Sequence, residues 1–281
     1  MRKILIICLM VFLIFNLSTV KAMEFTMQSD YVAKLNGPIE NGDTEKFVAF
    51  LKRWTPGQLS LSSLGGSVVE AVTMGEIIKN LYLDTSVEHD KHCASACFIL
   101  FLAGSERKAS PSKLMQPGAV EEMASSFKSL GLKSTYLPPG YVGLHRPFLS
   151  NLNSISNEQG AVMKSMRNYL QSQMVSSRLT DLMMSRPSNA VYWLDEVDLD
   201  ELGSYSPEQE EFFIKKCRFD RNYIDKMMAA LKNGNTFNAQ KIDAQNIKAT
   251  DCMIEVTATA RYAGYAKLRK GWLPSNNLFS Y

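Results

Sequence analysis

Gln58-Leu59-Ser60-Leu61-Ser62 alternates apolar and polar residues as a strand does, and it runs through Ser63-Leu64 into Gly65-Gly66 and then Ser67-Val68-Val69. Ser67 stands where a helix cap belongs. Behind it Val68, Val69, Val72, Met74 and Ile77 return at helical spacing. A strand, a double-glycine turn and a helix in that order open a βα unit. Thr85-Ser86-Val87 reads as the next strand, and the apolar run 95–103 as the next helix, stopped by Gly104. The βαβα order predicts an α/β domain with a mostly parallel sheet and crossover helices.

The pattern extends in both directions. Residues 31–35 read as a strand leading into Asn36-Gly37-Pro38. Residues 43–54 read as a helix capped by Asp43 or Thr44, with Phe47, Phe50, Leu51 and Trp54 on one face and Pro56-Gly57 beyond its end. Residues 110–140 hold Pro111, Pro117-Gly118, Gly131 and Pro138-Pro139-Gly140 around a short helix at 120–130, and read as an inserted lid or loop. Tyr141-Val142-Gly143-Leu144-His145 returns to a strand. Residues 157–174 and 179–184 read as helices, and a last segment from Tyr192-Trp193-Leu194 closes at Leu202-Gly203-Ser204-Tyr205. From Ser206 the composition shifts. Residues 206–281 read as a small appendage with a helix at 223–231, a break at Asn233-Gly234-Asn235 and a strand at 252–260.

Residues 1–22 stand apart. Arg2 and Lys3 precede an unbroken apolar run at 4–15, and Val20-Lys21-Ala22 carries small residues where a signal peptidase reads. The expectation is a secretory signal peptide cleaved after Ala22. The run is shorter than the roughly 20 residues of a spanning helix, which argues against an uncleaved anchor. The expected compartment is outside the cytoplasm, in a periplasm, with no membrane attachment after cleavage. Lys+Arg falls from 31 to 28 when Arg2, Lys3 and Lys21 leave, and Asp+Glu stays at 28. A formally neutral mature chain gives no ground for nucleic-acid binding.

Four cysteines follow the signal: Cys93, Cys97, Cys217 and Cys252. An even count in an exported chain favours disulfides over metal sites. Three connectivities exist, and the simplest joins Cys93 to Cys97 and Cys217 to Cys252. The alternative is a zinc half-site at Cys93 and Cys97, with His89 and His92 nearby.

Ser95 stands at the start of a buried helix, after a strand and a tight turn. A helix N-terminus offers unpaired N–H groups and the positive end of a dipole. A serine there can attack a carbonyl while adjacent N–H groups hold the oxyanion. It can equally be a plain helix cap. Gly65 and Gly66 occupy the same kind of turn, where missing side chains allow close approach. His145 ends a strand, the place where sites of parallel sheets gather; a structural histidine is the other reading.

As an ordered set these segments resemble a known family. Leu61-Ser62-Ser63-Leu64-Gly65-Gly66-Ser67-Val68 resembles the strand and glycine turn of Clp-type serine peptidases. Cys93-Ala94-Ser95-Ala96-Cys97 with the apolar run to Ala103-Gly104 resembles their nucleophile segment. Gly143-Leu144-His145-Arg146-Pro147 resembles their histidine segment, and residues 192–203 their closing helix and turn. The resemblance covers about half the chain and is closest to an exported branch of the Clp/crotonase superfamily. It implies stacked ββα units at 23–205. It implies Ser95 as nucleophile, His145 as base, and Gly65, Gly66 and Ala96 as the oxyanion turn. It further implies a peptide or protein substrate, a homo-oligomer, and neither metal nor organic cofactor.

Two departures from the family pattern matter. The separation of Ser95 from His145 is lengthened by residues 110–140. The third triad position falls near Ser188 or Asn189, neither of them acidic; Asn189 and Asp195 are the candidates, with Asp181 the nearest acid on the other side. Three readings follow: an exported serine hydrolase, a catalytically degenerate peptide- or protein-binding relative, and a crotonase-type acyl-thioester enzyme. The last conflicts with export, because coenzyme A thioesters are cytosolic.

Overall fold

The computed structural model describes residues 22–109, 140–147, 157–187 and 189–273. The expected signal peptide, the expected lid and Ser188 therefore lie outside the described residues, apart from Ala22 and Gly140 at their ends. The expected α/β architecture is what the structure shows.

The first sheet holds β1 (Glu24–Met27), β2 (Val32–Asn36), β3 (Gln58–Ser62), β4 (Asp84–Val87) and β6 (Arg107–Ala109), in the order β1-β2-β3-β4-β6. β2, β3, β4 and β6 are parallel, and β1 is an antiparallel edge. The second sheet holds β5 (His92–Ala94), β7 (Tyr141–Leu144) and β8 (Tyr192–Trp193). β5 and β7 are parallel, with β8 antiparallel at the edge. One residue beyond β3 joins the two sheets: Ser63 N–H donates to His92 O (2.7 Å) and Ala94 N–H donates to Ser63 O (3.0 Å). The glycine turn follows at once.

α1 (Asp43–Arg53) and α2 (Val68–Asn80) are the crossovers before β3 and β4. α2 buries Ala71, Val72, Met74, Ile77 and Ile78, while Val69 faces out. α3 (Ala96–Leu102) buries all seven of its residues. Each Leu, Ile or Phe taken from water there contributes about 1.5–3 kcal/mol, which drives a helix too short to stand alone into the core. α2 and α3 meet at Gly75, where an added Cβ would sit 3.4 Å from the Ala103 methyl.

α4 (Asn157–Ser172), α5 (Ser177–Ser185) and α6 (Glu196–Leu202) complete the first part of the chain. Asp195 caps α6, accepting from Asp198 N–H (3.0 Å), and Asp198 accepts in return from Asp195 N–H (3.1 Å). The expected cap of α1 differs: Gly42 holds that position at φ 88, and Asp43 turns its carboxylate back to Glu40 N–H (2.7 Å).

The C-terminal part is helical. α7 (Pro207–Cys217), α8 (Tyr223–Lys232) and the 34-residue α9 (Thr236–Arg269) follow one another. The strand expected at 252–260 is the middle of α9. Val256, Thr257 and Thr259 suggested a strand, but Met253 and Val256 pack on Phe213 as one turn of a helix does. The last turns of α9 join the main core through Tyr265 and Leu268, and Tyr265 Oη donates to Pro56 O (2.8 Å). Arg261 donates to Asp84 (3.1 Å), whose carboxylate also accepts from Tyr31 Oη (3.1 Å). Burial raises the Asp84 pKa, opposed by Arg261 and Tyr31.

Candidate active site

Ser95 is held at φ 58 and ψ −125, outside the regions an L-residue normally occupies. Its side chain makes no capping bond. Of the other serines at helix starts, Ser67 Oγ accepts from Glu70 N–H (3.4 Å) and Ser176 Oγ from Leu179 N–H (3.2 Å), while Ser206 makes no capping bond. What sets Ser95 apart from all three is its positive φ. A backbone strained by about 1–3 kcal/mol persists only where its surroundings fix it. Here Ser95 N–H donates to Gly143 O (3.2 Å), Phe98 N–H donates to Ser95 O (2.9 Å), and a Cys93–Cys97 disulfide spans the turn. Ser95 sits at a sharp strand-to-helix turn and is half-buried, the kind of position a nucleophile elbow occupies.

The glycines take different parts. Gly65 lies at φ 103, and a Cβ on it would fall 2.6 Å from Ser95 Cβ, 2.8 Å from Ala94 O and 2.9 Å from Ala96 N. Its own N–H is engaged by Ser63 Oγ (3.1 Å), so its role is close approach and not donation. Gly66 lies at φ 142 against the Ile39 backbone. Ile39 N–H donates to Gly65 O (2.9 Å) and Ser67 N–H donates to Ile39 O (2.7 Å). Among the described residues the N–H groups of Gly66 and Ala96 carry no hydrogen bond, and the Gly65 approach brings their two turns together. Two unengaged donors beside a serine can take up negative charge on an oxygen.

The Ile39 segment is itself anchored. Glu70 accepts from Gly42 N–H (3.0 Å), Thr44 N–H (2.8 Å) and the Thr44 hydroxyl. Burial raises the Glu70 pKa, but the Thr44 hydroxyl and these N–H groups outweigh it and hold the carboxyl below its ordinary value. Sequence reading missed Glu70, since a glutamate in a first helical turn looks like an ordinary helix former.

His145 follows the end of β7, beside β5. Ala94 pairs with Gly143, so Ser95 leaves one strand and His145 leaves its neighbour within two residues of that pair. Adjacent strands lie about 4.8 Å apart. The imidazole is buried, and its Nδ1 lies 2.9 Å from Arg146 O. A carbonyl only accepts, so Nδ1 is the donor in this contact; in the neutral ring Nε2 is then the nitrogen with the lone pair.

The two candidates for a third member separate. Antiparallel pairing of Gly143 with Trp193 and Leu144 with Tyr192 places Val191 opposite His145 and Asp195 opposite Tyr141, at the far end of β7. Four residues of strand are about 13 Å, and the Asp195 carboxylate is engaged as the α6 cap. Asn189 lies at the His145 end, where Arg146 N–H donates to Arg186 O (3.3 Å); it is exposed. Asp181 pairs with Arg167 (2.6 Å).

Both disulfides of the simplest pairing are formed, Cys93–Cys97 and Cys217–Cys252, with Cα separations of 5.1 and 5.5 Å. Sulfurs joined in a disulfide are not thiolate ligands, so the zinc half-site alternative falls.

No protein-family model matches this chain, and no curated protein matches it. Solved structures do. A ClpP1 mutant from Listeria monocytogenes aligns with 63% of this chain and 89% of its own, at 13% identity and TM-score 0.41. A mutant of the membrane-bound stomatin-specific protease 1510-N aligns with 66% of this chain and 83% of its own, at 10% identity and TM-score 0.38. An enoyl-CoA hydratase from Shewanella pealeana aligns with 89% of each chain, at 10% identity and TM-score 0.34. The chain thus resembles both Clp-type and crotonase-type structures. At these scores the likeness carries no argument about chemistry, which rests on the site geometry alone.

Proposed function

We propose that the protein is an exported serine hydrolase, a peptidase of the Clp-like kind, using Ser95 as nucleophile and His145 as general base. The observation that carries the reading is the strained, positive-φ Ser95 beside two N–H groups that have no partner among the described residues. Ser95 Oγ attacks the scissile carbonyl carbon as Nε2 of His145 takes its proton. The oxyanion accepts from Gly66 N–H and Ala96 N–H, each donor contributing about 2.7–4 kcal/mol to the barrier reduction. His145 returns the proton to the leaving amine, and then activates water against the acyl-enzyme. The Arg146 carbonyl does the tautomer-fixing that a triad carboxylate performs. The step needs no metal or organic cofactor. Export is supported by the two disulfides, which persist in oxidising compartments. The substrate would be a peptide or protein, and the assembly a homo-oligomer.

The second reading is a degenerate peptide- or protein-binding relative. One observation favours it: Asp195 is turned away from His145, and Asn189 is not acidic. The acyl-thioester reading shares the glycine turn and has no observation of its own.

A fluorophosphonate probe separates the first two. The wild-type protein, folded and oxidised, should label at one site, and Ser95→Ala should not. Equal labelling of both, or none of the wild type, overturns the hydrolase reading.

A further inference from the structure

Thr250, Met253, Ile254, Thr257, Ala258 and Arg261 recur along α9 at three- and four-residue steps, which puts them on one helix face. That face turns toward the opening ends of β3 and β4, and the two sides enclose a cleft of about 430 Å³. Gln58 and Asp84, the first residues of those strands, line the opposite side with Ser105, Glu106 and Tyr205. Buried Phe213 and Met253 form an apolar wall, and Ile254 stays 64% exposed in the opening. The cleft has the size of a small-molecule site, with apolar residues on one side and a few polar groups on the other.

The polar groups differ in what they have left to offer. Arg261 spends all three guanidinium nitrogens on Asp84, Tyr31 Oη and Tyr82 O. Glu106 is held through one oxygen only: Lys108 Nζ reaches Oε2 (2.8 Å) from a side chain that is 55% exposed, and a surface pair of that kind holds weakly. Oε1 of Glu106 has no partner among the described residues. Glu106 and Tyr205 are paired in an antiparallel bridge, so their side chains share a face. The Tyr205 hydroxyl makes no hydrogen bond among the described residues, and burial, Glu106 and Asp84 push its pKa up to about 12. Carboxylates that oppose a negative phenolate favour a positive charge in the same place. Ser105 is 5% exposed and lines the cleft, and its hydroxyl too has no partner among the described residues. Three acceptors therefore stand open beside an apolar wall.

We propose that this cleft binds a small organic ammonium ion, whose N–H groups donate to the Glu106 carboxylate and to the Tyr205 and Ser105 hydroxyls while its apolar stem lies against Phe213, Met253 and Ile254. The ammonium supplies the donors that the three oxygens lack, and charge-assisted bonds are the stronger kind. The stem covers apolar surface that the helix face leaves open. The site is independent of the hydrolase reading. It lies at the opening end of β3, and the glycine turn follows the other end, about 13 Å along the strand.

The test is calorimetric titration of the full mature protein with 4-phenylbutylamine, which is a cation at neutral pH as the lysine amine is. The control is 4-phenylbutanol, which keeps the stem and loses the charge. Wild type should bind the amine saturably at one site and the alcohol at least about tenfold more weakly. Glu106→Gln should weaken amine binding by about tenfold or more. Ala258→Trp, at an exposed position of the α9 face, should fill the cleft and abolish binding. Ser95→Ala should bind as wild type does. No saturable binding to wild type, equal binding of the alcohol, or unchanged binding to Glu106→Gln or Ala258→Trp overturns the proposal. Should Ala258→Trp fail to fold, the Met253 methyl resonance decides on wild type. It should move as the amine saturates, and a signal that stays fixed overturns the proposal.

Discussion

Replacing Gly65 by alanine tests the link between the two turns at the site. The new methyl would fall 2.6 Å from Ser95 Cβ, 2.8 Å from Ala94 O and 2.9 Å from Ala96 N. These atoms belong to the backbone or lie directly on it, so no side-chain rotation relieves the clash. Alanine must also hold φ near 103, which costs about 1–3 kcal/mol. At about 2–4 °C per kcal/mol for a chain of this size, the melting temperature should fall by about 2–12 °C. The larger effect is on reactivity. Moving Ala96 N away displaces one of two oxyanion donors, a loss of about 2.7–4 kcal/mol or a factor of about 10²–10³. The assay is the second-order rate of fluorophosphonate labelling beside a thermal melt. Gly160→Ala in α4 is the control: nothing lies within 4 Å of its added methyl, so it should label normally and gain roughly 0.5–1 kcal/mol. A folded Gly65→Ala protein labelling within about threefold of wild type would refute the reasoning.

Glu70→Ala should release the Ile39 segment, costing about 1–2 kcal/mol after allowance for partial exposure and slowing labelling roughly tenfold. Because the folded Glu70 pKa is lowered, its contribution is present above the unfolded value and lost as pH falls through the folded one; urea melts of Glu70→Gln should lack that acid-side loss. Asp84 has the opposite sign. Its raised pKa gives stability below the unfolded value that disappears as pH rises, so the penalty of Asp84→Asn should be smaller at pH 7 than at pH 4 by denaturant melts. Removing Cys217–Cys252, which closes a loop of 35 residues, should cost about 4 kcal/mol and leave the labelling rate intact, while removing Cys93–Cys97 should cost about 2 kcal/mol and slow labelling.

The sequence made the βα order legible because β3, the glycine turn and α2 each carry their own pattern. Ser95, Gly66, Ala96 and His145 were placed from short segments whose neighbours are strongly patterned. β5 and β6 were missed. Three residues such as His92-Cys93-Ala94 or Arg107-Lys108-Ala109 are too short to show alternation, and they form strands because a partner strand is already in place. β1, four residues with a half-exposed pattern, was missed for the same reason. The tail misled differently: local β-branching at 256–259 was overridden by packing of Met253, Tyr265 and Leu268 along one helix. Pairing register, which a single sequence does not display, is what separates Asn189 from Asp195 at the His145 end.

α9 runs about 50 Å at 1.5 Å per residue, but its surroundings change along that length. From Cys252 on it is pinned by a disulfide, by Arg261 and by the core residues Tyr265 and Leu268. Before Cys252 it buries only Ala239 and Ala249, while Phe237 and Ile247 face outward. One unbroken helix therefore holds two local stabilities. Its amide hydrogens should exchange on two timescales, with the boundary near the Cys217–Cys252 bond: fast opening toward residue 236, and core-like protection toward residue 268.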